Sequence, residues 1–183
     1  MVFQIDEESM SLQDRIRTIP DFPIEGIQFR DITPLLSDPQ ALREAIDLLA
    51  RTYSQERIEC VVGIEARGFI FGAPLAYLLG AGFVPVRKPG KLPGETVCAE
   101  YTLEYGVNRL EMHRDAISAG QRTLIVDDLL ATGGSALAAA ELVERLGGIV
   151  AGMAFLVELG ELGGRDRLNG YNVCSLITYE KGS

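Results

Sequence analysis

The stretch that decides the fold is TLIVDDLLATGGSA, residues 123–136. It begins with an apolar, β-branched run, which is typical of a strand buried on both faces of a sheet. Two aspartates end the run, and a turn of small residues from Ala131 to Ser135 then opens an alanine-rich helical pattern. A helix N-terminus presents unpaired backbone amides, and Gly133 and Gly134 let an anion approach the backbone closely. The stretch predicts a strand, an anion-binding turn and a helix.

The polar side chains of this stretch fit a phosphate site. Thr132 and Ser135 add hydroxyl donors beside the amides, and Asp127 and Asp128 end the strand. The plainer alternative is a glycine-rich connection in which the acids only cap or turn the chain. No G-x-x-x-x-G-K-[ST] motif occurs, and the GAG at 80–82 lacks the third glycine of a dinucleotide fingerprint. The full pattern therefore favours a phosphate site without a P-loop lysine.

Strand and helix patterns alternate on both sides of this stretch. Further apolar runs predict buried strands, at 60–64, 83–86, 149–159 and 172–177. Helical patterns lie at 69–79 and 134–146, and an earlier helix over 40–53 has Asp38 as its cap. We therefore predict one α/β domain, with a mainly parallel twisted sheet flanked by helices.

Two segments depart from this rhythm. Residues 9–19 have apolar residues at helical spacing and predict a short helix stopped by Pro20. Residues 87–113 begin with RKPGKLPGETV, which is rich in Pro, Gly and charge, and continue with an alternating pattern. We predict a mobile loop and then an antiparallel insertion with Gly106 in its turn. His113, the only histidine, is assigned a structural role.

Composition limits the partners. Lys and Arg number 17 against 26 Asp and Glu, giving a net charge of −9, which argues against nucleic acid. The three cysteines are far apart and odd in number, which favours a reducing cytosol. The chain begins with polar and acidic residues, and no apolar stretch approaches the ~20 residues of a membrane span. We expect a cytoplasmic protein with no nucleic-acid or membrane partner.

The loops that follow the predicted strands should converge on one crevice. Ligands of open α/β sheets bind at the carboxyl ends of the strands, so loops 65–68, 87–91 and 127–135 should meet there. Arg67 follows a buried strand, and either a crevice position or a surface ion pair fits it. The second loop holds three positive charges, on Arg87, Lys88 and Lys91. A solvated basic loop is the ordinary alternative for these cations.

Residues 123–136 resemble the phosphoribosyl pyrophosphate signature of the type I phosphoribosyltransferases. Four further segments resemble the adenine-specific branch in order and rough spacing: PDFPIEGIQFRDITPLL (20–36), EARGFIFG (65–72), RKPGKLPGETV (87–97) and LEYG (103–106). The resemblance implies the type I phosphoribosyltransferase fold, with a small hood and base-binding segment (1–36) and a flexible loop and hairpin (87–113). It also implies transfer of the phosphoribosyl group of phosphoribosyl pyrophosphate to adenine, and a homodimer.

The resemblance further implies how the phosphates and the sugar are held. Residues Ala131–Ser135 would cradle the 5′-phosphate, while Asp127 and Asp128 would hold the ribose hydroxyls. Arg67 would contact the pyrophosphate, and the cationic loop 87–91 would neutralise it and exclude water. Mg²⁺ is the implied cofactor, held mainly through substrate oxygens with no direct protein ligand.

The resemblance also implies the base contacts. Phe29 would stack on adenine, backbone groups around Gln28 and Arg30 would contact its edge, and Leu159 would close the other face. A place in the core is the alternative for Phe29. The candidate acid/base pair for the purine imidazole ring is Glu104 and Tyr105. Two other functions remain open: transfer to hypoxanthine or guanine, and a non-catalytic sensor of phosphoribosyl pyrophosphate that regulates transcription.

Overall fold

The structure, a computed structural model, describes residues 11–103 and 106–180. It consists of two units, Met1–Asp47 and Leu48–Ser183. Among the described residues, no helix is both long enough and apolar enough to cross a membrane.

The first unit holds a small antiparallel pair of strands and the start of a long helix. A 3₁₀ turn (Leu12–Arg15) is followed by β1 (Arg17–Pro20), β2 (Gln28–Asp31), α1 (Thr33–Ser37) and α2 (Pro39–Tyr53). The carboxylate of Asp31 accepts hydrogen bonds from Arg17 and from the amide of Thr33, at 3.0 Å. These contacts, led by Arg17, lower the pKa of Asp31 and fix β1 to the start of α1.

The helix predicted over residues 9–19 is wrong. Residues 9 and 10 lie outside the described residues; within 11–19 only Leu12–Arg15 is helical, as a 3₁₀ turn, and the residues from Arg17 form a strand. Thr18 and Ile19 are β-branched, and the ladder that they form with β2 satisfies their backbone groups better than a short isolated helix would. Tertiary pairing has overridden the local spacing.

The helix predicted over 40–53 is confirmed as α2, with Asp38 at its start. The Asp38 carboxylate accepts hydrogen bonds from the amides of Ala41 and Gln40, at 3.1 and 2.9 Å. These two bonds lower the pKa of Asp38, as expected for an acid at a helix N-terminus.

The second unit is built on a five-stranded sheet. Its elements in chain order are β3 (Cys60–Ile64), α3 (Gly68–Leu79), β4 (Gly82–Val86), β5 (Thr96–Leu103), β6 (Gly106–His113), β7 (Arg122–Leu130), α4 (Gly134–Arg145), β8 (Ile149–Leu159), α5 (Gly164–Arg167) and β9 (Val173–Tyr179). The sheet order is β4-β3-β7-β8-β9, and every pair is parallel. The predicted parallel sheet is therefore confirmed. The first part of the 123–136 stretch forms its central strand, β7.

The core follows from this central position. Leu124, Ile125 and Val126 of β7 are completely buried, as expected for a strand covered on both faces. The alanine-rich face of α4 packs closely on one side, because small side chains let a helix approach a sheet.

The predicted antiparallel insertion is confirmed as β5 and β6. Gly106, expected in the turn, is instead the first residue of β6 and pairs with Leu103. The hairpin is joined to the end of β4, because Arg87 and Glu111 exchange backbone hydrogen bonds of 3.0 and 2.7 Å.

Candidate active site

A cavity of about 480 Å³ opens in the second unit at the carboxyl ends of β3 and β7. Its wall consists of residues 65–67, which follow β3, residues 127–136, which end β7 and begin α4, and the side chains of Lys88, Tyr101 and Phe155. Two of the three predicted loops therefore contribute continuous wall, and the third contributes Lys88.

The connection from β7 to α4, termed the 131–135 turn, forms one side of this cavity. Gly133 has a φ of 77°, in the left-handed region that favours glycine, and α4 begins at the next residue. The amide of Leu137 donates to the carbonyl of Gly133 at 3.0 Å, which starts the helical ladder. The first amides of a helix have no intrahelical acceptor, so this turn presents donors to an anion.

Asp127 is a buried carboxylate at the cavity wall. Its Oδ1 accepts a hydrogen bond from the amide of Asp128 at 2.9 Å, and the residue is only 9 % exposed. Burial, and then the neighbouring charge of Asp128, raise the pKa of Asp127 well above its usual value. A Cβ atom at Gly68 would lie 2.7 Å from the carbonyl oxygen of Val126 and 3.0 Å from Oδ1 of Asp127. Glycine at position 68 therefore lets α3 begin directly beside this acid.

Asp128 is paired with Arg67. The guanidinium Nε of Arg67 donates to the Asp128 carboxylate, and the arginine side chain is 49 % exposed while the acid is 9 % exposed. The ion pair that was the alternative for Arg67 is therefore present, and both of its residues also line the cavity. The half-exposed guanidinium therefore places a positive charge at the cavity wall, where it would favour an anionic ligand.

The three cations of the basic loop occupy different places. Lys88 lines the cavity, whereas Arg87 and Lys91 do not belong to its wall. Arg87 donates from Nε to the carboxylate of Glu65 at 3.1 Å and from its Nη1 to the carbonyl of Lys91 at 3.1 Å. The charge of Arg87 is therefore used to hold the loop to the end of β3.

Glu65 lies in the predicted loop 65–68 and lines the cavity, although the sequence assigned no role to it. Its Oε2 accepts the amide of Lys88 at 2.9 Å as well as the guanidinium of Arg87. Burial alone would raise the pKa of Glu65, but these donors outweigh it and the pKa is lowered. Tyr101 on β5 and Phe155 on β8 line the cavity as well, although both lie outside the three predicted loops.

The residues predicted to bind the base lie in both units. In the first unit Phe29 is half-buried, and its ring meets the ring of Phe22 edge-to-face at 5.1 Å. Gln28 is exposed, and Arg30 donates to the hydroxyl of Thr18 at 2.6 Å. In the second unit Leu159 is the half-buried last residue of β8. The candidate acid/base pair, Glu104 and Tyr105, lies outside the described residues.

Two further sequence assignments concern metals and the histidine. Within residues 11–103 and 106–180, no group of three or more His, Cys, Asp and Glu side chains could hold a metal ion. His113 forms a hydrogen bond through Nε2 with the carbonyl of Pro93 at 2.8 Å, which ties the basic loop to β6.

Comparison with known proteins assigns a family. Residues 31–181 match the phosphoribosyl transferase domain. The chain is 60 % identical over 171 residues to the adenine phosphoribosyltransferase of Clostridium perfringens, covering 93 % of this chain and 99 % of the relative. The adenine phosphoribosyltransferase structure from Thermoanaerobacter pseudethanolicus has a TM-score of 0.89 and 56 % identity, covering 92 % of this chain and 98 % of the other. The enzyme of Saccharomyces cerevisiae, solved with D-2,5-dideoxy-2,5-imino-altritol 1,6-bisphosphate and adenine, has a TM-score of 0.85 and 46 % identity, covering 90 and 96 %.

Proposed function

The chain belongs to the phosphoribosyl transferase family, and from this we propose that it transfers the 5-phosphoribosyl group of phosphoribosyl pyrophosphate to adenine, giving AMP and pyrophosphate. The observation that carries the proposal is one cavity that brings Asp127 and Asp128 together with the 131–135 turn. An acid pair fits the hydroxyls of a sugar, and a helix N-terminus fits its phosphate.

The reaction replaces one bond at ribose C1 by another. The bond from C1 to the pyrophosphate oxygen breaks, its electron pair leaves with pyrophosphate, and a nitrogen of adenine bonds to C1 and loses its proton. Positive charge develops on the sugar and negative charge on the leaving group, so placing charges around both is the main source of catalysis. We assign the sugar side to Asp127 and Asp128 and the 5′-phosphate to the 131–135 turn.

The leaving pyrophosphate requires cationic donors. Arg67 and Lys88 line the cavity and are the best-placed cations for this role. Arg87 and Lys91 are proposed to act with them when the loop closes over substrate, since a mobile cationic loop would also exclude water. Arg87 would keep its bond to Glu65 and orient the loop, because that carboxylate also holds the amide of Lys88.

Mg²⁺ is the proposed cofactor. This ion prefers hard oxygen ligands and would take most of them from substrate and water. Asp127 and Asp128 would hold it indirectly, through the ribose hydroxyls. The ion would supply neutralisation of the pyrophosphate charge.

The base contacts and the proton transfer stay predictions. We propose that Phe29, with backbone groups around Gln28 and Arg30, contacts adenine, and that Leu159 does so as well. Exposed apolar side chains at 22, 24 and 27 surround the Phe29 segment, which suits a ligand with a flat aromatic face. Glu104, beside Tyr105, is the proposed acid/base for the adenine proton.

A homodimer in the cytoplasm is the proposed state of the protein. The helix α3 contains no charged residue, and Ile70, Tyr77 and Leu78 on it are 41, 85 and 49 % exposed. Apolar side chains exposed together on one helix are typical of an interface, and a second copy of the chain would cover them. The cysteines are all free thiols, and burial raises the pKa of Cys60 to about 11, which suits a reducing compartment.

An activity screen tests the proposed function. Purified protein is incubated with phosphoribosyl pyrophosphate, Mg²⁺ and adenine, hypoxanthine or guanine in turn, and nucleotide formation is followed by chromatography. AMP from adenine alone is expected. Product from hypoxanthine or guanine without product from adenine would reject adenine as the substrate, and binding without any turnover would favour the sensor alternative.

A further inference from the structure

The one-turn helix α5 lies directly against the 131–135 turn. Gly164, the first residue of α5, is buried, and a Cβ atom there would lie 2.2 Å from the carbonyl oxygen of Ala131. Conversely, a Cβ atom on Gly133 would lie 2.8 Å from the carbonyl oxygen of Gly164. These separations leave no room for a side chain between the two backbones. Glycine at both positions is what allows the segments to touch.

Arg165 fastens α5 to the strands behind it. Its Nε donates to Oε1 of Glu158 at 2.9 Å, and Nη1 donates to the carbonyl of Val173 at 3.0 Å. Its Nη2 reaches the hydroxyl of Ser175 at 3.2 Å. Glu158 is 5 % exposed, and the bonds from Arg165 lower its pKa. The position of α5 is therefore set by the ends of β8 and the start of β9.

The close contact between Gly164 and the Ala131 carbonyl fixes the orientation of one peptide group in the 131–135 turn. The peptide from Ala131 to Thr132 is trans, so its C=O and N–H groups point in opposite directions. The Ala131 carbonyl oxygen faces Gly164, and the amide of Thr132 therefore points away from α5. If the peptide rotated, the amide would turn toward α5 and be lost to an anion in the cavity.

We propose that Gly164 and Arg165 are positioning residues for the ribose-phosphate site, acting through the peptide planes of the 131–135 turn. The proposal rests on the function given above, in which that turn binds the 5′-phosphate. Neither residue belongs to the cavity wall, so their proposed effect is indirect. Their effect is on the placement of amide donors, where a displacement of about 1 Å changes rates by orders of magnitude.

Gly164→Ala is the direct test. The added Cβ atom meets a backbone oxygen rather than the end of a flexible side chain, so one of the two backbones must move, and the contact that orients the turn is lost in either case. We expect the Kd for ribose 5-phosphate, measured by calorimetry, and the KM for phosphoribosyl pyrophosphate to rise about tenfold or more, since a charge-assisted hydrogen bond is lost. The KM for adenine should stay within about twofold of the wild-type value, because loss of one phosphate donor leaves the base contacts in place.

Arg165→Gln and Arg165→Lys provide a second route that leaves Gly164 in place. Gln loses the charge that Glu158 requires, whereas Lys keeps a charge but cannot form the forked contacts to Val173 and Ser175. Affinity for ribose 5-phosphate should fall in the Gln variant and recover in part in the Lys variant. Arg167→Gln is the matched control, because Arg167 is exposed on the same helix, and its affinity should not change.

The outcomes separate the two proposals. A wild-type protein that makes no AMP from adenine rejects the function. An active wild-type protein whose Gly164→Ala and Arg165→Gln variants bind ribose 5-phosphate as tightly as wild type rejects the positioning role alone. A purely structural role would lower thermal stability or kcat without changing either KM, and that result also overturns the inference. If Gly164→Ala does not fold, Arg165→Gln decides the question.

Discussion

Asp127→Asn should separate the activity of this protein from its stability. The buried acid accepts a hydrogen bond from the amide of Asp128 through Oδ1, and an asparagine Oδ1 can accept the same bond. The substitution therefore keeps this backbone hydrogen bond, removes the negative charge and replaces the acceptor Oδ2 by an NH₂ donor. Loss of a charge-assisted hydrogen bond to a ribose hydroxyl costs about 1.5–3 kcal/mol, so we expect kcat/KM to fall roughly 10- to 150-fold.

The same substitution should stabilise the unliganded protein. Burial and the neighbouring Asp128 raise the pKa of Asp127, so the charged form is disfavoured in the folded state. Each pKa unit of such a rise corresponds to about 1.4 kcal/mol. For a chain of this length, about 1 kcal/mol moves Tm by roughly 2–4 °C.

The pH dependence follows from the direction of the shift. Below the unfolded pKa of aspartate, about 3.9, both states are protonated and Asp127 carries no penalty. As pH rises through the folded pKa, the folded protein loses stability because it must hold a buried charge. The advantage of Asn over Asp should thus be absent at low pH and grow toward pH 8.

Thermal unfolding of both proteins between pH 4 and pH 8, with initial rates for AMP formation at pH 8, tests these expectations. Asp166→Asn, an exposed acid on α5, is the control and should change neither quantity. If Asp127→Asn melts well below the wild type at pH 8, the buried charge of Asp127 does not destabilise the folded protein as argued. Near-normal kcat/KM would refute the assignment of Asp127 to the ribose.

Three further predictions concern stability and assembly. Tyr53→Phe removes a buried hydroxyl that donates to the carbonyl of Met153 at 2.8 Å, so it should destabilise the protein by about 1–3 kcal/mol in chemical denaturation, and an unchanged midpoint would contradict this. Glu158→Gln should lower Tm at pH 7, and this effect should disappear as pH falls below about 4. The pKa of Glu158 is lower in the folded protein, so the ionised side chain stabilises the fold above its unfolded-state pKa and loses this effect when it is protonated. A Tm difference that persists at pH 3 would count against the Glu158–Arg165 pair. Tyr77→Glu on the exposed face of α3 should convert a dimer into a monomer in gel filtration, and a wild-type elution volume that matches one 19.9 kDa chain would itself reject the dimer.

The sheet was predictable because burial on both faces leaves a continuous apolar signature. The run at 60–64 coincides with β3, and the run at 149–159 coincides with β8. The structure of residues 9–19 was not predictable in the same way, because the apolar spacing that suggested a helix there is equally compatible with a turn and a strand. The pairing of Thr18 and Ile19 with β2 decided the matter, and such pairing has no local signature.

The place of the cavity was predictable where chemistry and topology coincide. Asp127 and Asp128 lie near the carboxyl end of the central strand β7, which continues to Leu130, and both line the cavity at the edge where the carboxyl-edge rule predicts one. Arg87 shows the limit of reasoning from charge. A cation beside a crevice suggests an anionic ligand, but charge alone could not show that Arg87 also donates to Glu65, an acid directly after β3 and 22 residues earlier in the chain.

Two of the three glycine pairs of the chain show why Gly164 has no local signature. Gly133 and Gly134 follow a strand and two acids, so their local context supplies a reason for glycine. Gly163 and Gly164 also follow a strand with an acid, Glu158, as its penultimate residue, but nothing local distinguishes them from an ordinary turn. The reason for Gly164 lies across the fold, in a carbonyl oxygen 33 residues earlier that a single methyl group would displace. A glycine required by a contact between segments is therefore found only once the fold is known, and its substitution should act on the site that it touches.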